Sequence, residues 1–210
     1  MSDFSVPRKG PVPRSAHEAA PLVSHERTSR PLGWWGIALL VATEATLFGT
    51  IFGTYFYLRF RSPHWPPHGI PPPSATVPLI ITAVLVLTSI PMQAAFNSAR
   101  NGRLGFARLA LVVALVVQAG YFAMQIHLFA DDLGKFSPQG SAYASIYFVM
   151  LGAHHAHVLA GLLLDVWLLV RTVTGLTSYR LTALQATTFY WHFVNVLALC
   201  VVGAQLSAAV

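Results

Sequence analysis

Five long apolar blocks, separated by short polar or proline-rich stretches, set the pattern of this chain, at about 33–58, 77–97, 106–129, 141–170 and 183–206. Each reaches the roughly 20 residues a helix needs to cross the hydrocarbon core of a bilayer. The pattern predicts an all-α fold, an integral membrane bundle of five transmembrane helices in one domain over 33–207. Trp34 and Trp35 open the first block and Tyr55, Tyr57 and Arg59 close it, residue types that suit the two membrane interfaces. The stretch from Arg59 to Thr76 is rich in proline, which forbids helix and favours a stiff extended loop outside the bilayer. In the second block Pro78 falls in the first turn, where its missing N–H is harmless, and Pro91 predicts a kink. A turn over Ser98–Gly105, a polar loop over Ala130–Gln139 with Asp131, Asp132 and Lys135, and a connection over Thr172–Thr182 complete the layout. Residues 1–32 are polar and have no apolar core of a signal peptide before Leu32, so they predict a flexible polar arm.

Composition agrees with this layout. The chain is 55% hydrophobic and only 10% charged, with a mean hydropathy of +0.58, whereas a soluble domain carries about a quarter charged residues. The net charge of +6 does not point to nucleic acid, because most basic residues flank apolar blocks and no nucleic-acid motif is present. Topology accounts for the charge instead. Ten of the 13 Lys and Arg fall on the side of the N-terminus and three on the other, which predicts a cytoplasmic N-terminus, a C-terminus outside, and a multi-pass protein of the inner (plasma) membrane. Cys200 is the single cysteine, so neither a disulfide within the chain nor a thiolate metal site is open to it. No internal repeat supports a transporter built from inverted halves.

Polar groups inside the blocks are the candidate chemistry. Glu44 lies eleven residues into the first block, roughly 16 Å below its start at 1.5 Å per residue. A carboxyl at that depth must be neutral, hydrogen-bonded or paired. Two readings stand: a protonatable site on or beside a proton path, and a structural hydrogen-bond donor locking two helices together. Gly49 and Gly53 form a G-x-x-x-G step that permits close helix contact. In the fourth block His154, His157, Gly161 and Asp165 fall within roughly 80° on one helical face. His154, His155 and His157 have imidazoles that could hold a metal or haem, but no Cys, Asp or Glu completes a ligand set, so interhelical hydrogen bonding is the favoured role and no metal is expected. Asp165 is expected to pair with one of these histidines. His192 and Asn195 sit three apart on one face of the last block, as interhelical glue. Gln125 and His127, near the outer end of the third block, reach water by snorkelling and need no special role.

Three stretches read together. TEATLFGTIFGTYFYLRF followed by HWPPHGIPPP, then GSAYASIYFVMLGAHHAHVLAGL, then FYWHFVNV, in this order and spacing, resemble subunit III of the haem-copper oxidases, cytochrome c oxidase and its quinol-oxidising relatives. The resemblance covers about Trp34 to Gln205, and the five-block layout looks like the short bacterial form. It implies an accessory core subunit of aerobic respiratory electron transport with no catalytic residue, haem or copper of its own, the haem and copper residing in subunits I and II. It also implies packing on subunit I, phospholipid bound between helices, and a part in sustaining proton uptake. By the same resemblance Glu44 matches the family's buried, carbodiimide-reactive glutamate, His154 and His157 match the two motif histidines, and Trp191 and His192 match the last-helix motif. Two departures stand out: His155 replaces the motif glycine, and Asn195 replaces the motif aspartate, removing a charge. Alternative readings are the equivalent subunit of a quinol oxidase or nitric oxide reductase complex, and a stand-alone proton or ion transporter using Glu44.

Overall fold

The computed structural model describes residues 32–71, 76–173 and 178–208. Over these the chain forms six helices: α1 (Leu32–Arg61), α2 (Thr76–Leu87), α3 (Ser89–Arg100), α4 (Leu104–Lys135), α5 (Ala142–Val173) and α6 (Ser178–Ser207). No strand occurs among the described residues. Because α2 and α3 make one span between them, five segments are long and apolar enough to cross a membrane: Gly33–Arg61, Thr76–Arg100, Leu104–Lys135, Ala142–Thr172 and Arg180–Ser207. The arm expected over 1–32 lies, except for Leu32, outside the described residues.

The second span is interrupted at Thr88, three residues before Pro91. Proline has no N–H for the Leu87 carbonyl, and its ring crowds that same oxygen, so the helix gives way on the N-terminal side of the ring. Thr88 closes the gap. Its N–H and its hydroxyl both donate to the Leu85 carbonyl, at 3.0 and 2.6 Å, and its own carbonyl accepts the Met92 N–H at 3.2 Å to start α3. The turn into α4 is a Schellman closure: Arg103 N–H donates to the Ser98 carbonyl at 2.9 Å and Gly102 N–H to Ala99 at 3.1 Å. Gly102 takes φ +72 there, a conformation that favours glycine.

α4 continues to Lys135, so the polar stretch 130–135 is helix and not loop. Side-chain pairs at helical spacing hold it, His127–Asp131 at 3.8 Å and Lys135–Asp132 at 3.0 Å, and Tyr147 of α5 donates to Asp132 Oδ2 at 2.6 Å. Its 32 residues measure about 48 Å at 1.5 Å per residue, well beyond a hydrocarbon layer of about 30 Å.

α5 and α6 occupy the middle of the bundle. α1 leans on these two alone and touches neither α2, α3 nor α4, while α3 and α4 pack on the other flank. The α3–α4 seam is lined by buried Ala95, Ala99, Ala107, Ala110 and Ala114, small side chains that let the backbones come close without a hydrophobic drive between them. A second core forms at the proline-loop end around Tyr55, Tyr143, Tyr147 and Phe148. Tyr55 is fully buried; its hydroxyl donates to the Ala204 carbonyl at 2.9 Å and accepts the Trp65 indole N–H at 3.1 Å. One side chain thereby ties α1, the proline-rich loop and α6 together. Tyr55→Phe is expected to cost about 1 kcal/mol per lost hydrogen bond and to make the loop over 62–71 several-fold more sensitive to protease. An unchanged cleavage rate would mean that ring packing alone holds the loop.

Candidate functional site

The polar face of α5 is split among three neighbours. At 100° per residue His157 lies at one edge of the face, Gly161 in its middle, and His154 and Asp165 at the other edge. The contacts follow that order: His157 meets α1, Gly161 meets α6, and His154 and Asp165 meet α4. At the middle position a Cβ added to Gly161 would stand 2.7 Å from Trp191 Cζ2 and 2.9 Å from Cε2. Glycine is required there by close approach. Trp191, fully buried, lays its indole across the bare backbone of α5.

His157 Nε2 lies 3.0 Å from Glu44 Oε2, and Nδ1 lies 2.7 Å from the Ala153 carbonyl. A carbonyl only accepts, so Nδ1 carries a proton. The bond to Glu44 then has two forms, a carboxylic acid donating to a neutral imidazole or an imidazolium donating to a carboxylate. One proton is shared by the pair in either form. Tyr190 of α6 donates to the His157 carbonyl at 2.9 Å, and the His157 ring packs edge-on to Phe48, 5.2 Å between centroids. Within this chain Glu44 is not sealed: 26% of its side chain is exposed, on a groove lined by Leu40, Ala156, Ala160 and Tyr190, with a volume of about 210 Å³. A second groove of about 370 Å³, lined by Thr54, Leu58, Ala142, Ser145, Ile146 and Val149, continues along the α1–α5 seam toward the proline-rich loop.

The other motif histidine does different work. Gln125 donates to the Tyr121 hydroxyl at 3.0 Å, and that hydroxyl shares a 3.1 Å hydrogen bond with His154 Nε2 whose direction follows the ring tautomer. The other ring nitrogen of His154, Nδ1, is buried without a partner among the described residues. Gln125, far from snorkelling, is buried and is the first link of this chain, and it also lines a cavity of about 320 Å³ bounded by Asp132, Tyr147 and Gln205. His155 points between Phe122 and Phe129, the latter edge-on at 5.2 Å. The three adjacent imidazoles thus diverge, and among the described residues no three His, Cys, Asp or Glu side chains converge on one point.

Asp165 does not pair with a histidine. His154 lies three helical turns away along α5 and His157 is engaged by α1, so the carboxyl turns to α4, where fully buried Gln118, its amide assigned so that the nitrogen faces the two acceptors, donates to Asp165 Oδ2 at 2.8 Å and to the Ala114 carbonyl at 3.1 Å. The indole N–H of Trp191 stands beside the same carboxyl, outside hydrogen-bond geometry. Asn195 does act as glue: its amide donates to the Ser89 hydroxyl at 2.8 Å, fastening α6 to α3 just past the break. His192 is half-buried and, unlike Asn195, forms no hydrogen bond with the described residues. His127 is exposed beside Asp131. Gln118 and Tyr121 are polar contact residues that the sequence reading did not single out, and Gln125 joins them; their spacing of three and four in an otherwise apolar helix is the available signal.

An all-helical membrane bundle whose mid-span carboxyl is bonded to an imidazole, with a glycine–tryptophan contact between its central helices, defines a polytopic membrane protein built around interhelical polar contacts. The family model for cytochrome c oxidase subunit III matches residues 16–202, and the chain belongs to that family. Relatives are similar along nearly their whole length. Cytochrome bo(3) ubiquinol oxidase subunit 3 of Pseudomonas aeruginosa is 31% identical over 191 residues, 89% of this chain and 90% of the relative. Probable cytochrome c oxidase subunit 3 of Nocardia farcinica is 31% identical, over 77% of this chain and 80% of the relative. Quinol oxidase subunit 3 of Bacillus spizizenii is 28% identical, over 84% and 87%. The chain is accordingly an integral membrane subunit III of a haem-copper respiratory oxidase complex.

Proposed function

We propose that this chain is the non-catalytic subunit III of a terminal oxidase in the plasma membrane, its N-terminus cytoplasmic and its C-terminus outside. It packs on subunit I in a complex with subunit II, holds phospholipid along the α1–α5 seam and sustains proton uptake, while haem and copper belong to subunits I and II. The observation that carries this reading is the Glu44–His157 bond opening onto a groove at mid-span. A polar pair at that depth is costly against hydrocarbon, so a lipid chain or a partner helix must cover what α1, α5 and α6 leave open. The two grooves run along one seam, floored by Ala142, Ser145, Ala156 and Ala160, and supply the narrow apolar slot an acyl chain fills. α1, with 11% of its most apolar stretch buried inside the chain, has surface to spare for both.

The test uses the purified oxidase carrying Glu44→Ala. Haem content and initial turnover are expected to match the wild type, while the active lifetime under continuous turnover shortens several-fold and bound phospholipid falls. Glu44→Gln, which keeps a hydrogen-bonding group, is expected to lose less. Loss of haem from Glu44→Ala would place the residue at a redox centre and overturn the reading.

A further inference from the structure

The proline-rich loop after α1 carries two histidines that the oxidase role does not use. His64 and His68 are exposed, four residues apart in PHWPPHG, and their ring centroids are 4.3 Å apart with planes inclined at 52°. We propose that they form a binding site for a divalent first-row transition ion of the Cu(II) or Ni(II) class, with solvent completing the coordination.

Ring separation favours this class. With metal–nitrogen bonds of 2.0–2.1 Å a ring centroid stands about 3.2 Å from the ion, so two imidazoles at 90° have centroids about 4.5 Å apart and two at the tetrahedral angle about 5.2 Å. The observed 4.3 Å matches the cis arrangement of a square-planar or tetragonal ion, for which imidazole is a suitable ligand. Zinc would require the rings to separate.

The segment between the two histidines is held from below. Trp65 donates its indole N–H to Tyr55 at 3.1 Å and packs edge-on against Tyr143 at 4.9 Å. Pro66 and Pro67 have fixed φ, Ile70 N–H closes a turn onto the Pro67 carbonyl at 3.2 Å, and the Ser62 hydroxyl donates to the His64 carbonyl at 2.8 Å. The two imidazoles are thus brought to one side of an anchored unit, and little chain ordering remains to be done when an ion binds. The nearby cation Arg61 is drawn toward Tyr57, 5.6 Å from its ring. His64 directly precedes the W-P-P-x-G-I pattern and His68 fills its variable position.

The tag-free oxidase complex is dialysed against Ni2+, which avoids the copper of the complex. One Ni2+ per chain above the level of H64Q/H68Q is expected, weakened at least tenfold in either single variant and undisturbed by a hundredfold excess of Mg2+. Haem spectrum and turnover of the variants report that the complex is intact. Equal Ni2+ binding by wild type and H64Q/H68Q, displacement by Mg2+, or no binding above the double-variant level would each overturn the site and leave the two rings as a stacking contact.

Discussion

Gly161→Leu is expected to expel the subunit from its complex. A methyl group alone at this position falls within 2.7 Å of Trp191, and Trp191 is fully buried between α5 and α6 and cannot swing aside. Overpacking a filled core typically costs about 1–3 kcal/mol; Gly161→Ala belongs in that range, and the three further carbons of leucine take it past what the helix pair can absorb. Trp191→Phe removes the ring atoms nearest Gly161 but leaves a cavity, so it destabilises as well. Combined, Gly161→Ala with Trp191→Phe is expected to be less damaging than the sum of the two. Thermal unfolding of the purified complex, followed by loss of the subunit, measures all four variants. Simple additivity would show that the two residues do not meet.

The second large effect is expected at Gln118. Asp165 is 1% exposed, and among the described residues Gln118 supplies its one hydrogen bond. Gln118→Leu leaves a buried carboxyl with no donor, at a cost of about 3 kcal/mol or more, since an orphaned polar group forfeits its full desolvation energy. Replacing both residues by leucine removes the need as well as the partner, and the double variant is expected to recover more than about 1 kcal/mol relative to Gln118→Leu alone. Asp165→Asn, which can still accept from Gln118, is expected to be mild. If the double variant proves worse than Gln118→Leu, the carboxyl has another anchor, and the indole N–H of Trp191 is the one beside it.

The five spans were legible because length and hydropathy decide them. Glu44 could be placed at mid-membrane by counting from the interface, and the depth of a lone carboxyl implied a partner without naming one. His157 lies 113 residues away, and only the assembled bundle decides which of three neighbouring imidazoles α1 will face. The angular spread of His157, Gly161 and Asp165 is readable in the sequence as one face, and the structure divides that face into three edges serving three helices. Helix α4 departs from the sequence reading twice for one reason: its polar residues act together and not singly. Asp131 and Asp132 suggested a loop, though each pairs within the helix at 3.8 or 3.0 Å, and Gln125 suggested a wet helix end, though with Gln118 and Tyr121 it makes an inward stripe. Pro91 did predict a disturbance. Its place at Thr88 follows from the carbonyl four residues back.

The bond between α1 and α5 has an electrical consequence. Whether its proton rests on Glu44 or on His157, the pair sums to zero charge, so it presents the membrane interior with a dipole and not an ion while it is intact. Moving the proton between atoms 3.0 Å apart spans at most a tenth of the field, about 0.2 kcal/mol per 100 mV. The membrane voltage is therefore nearly blind to which residue holds it, and only departure of the proton from both would be felt.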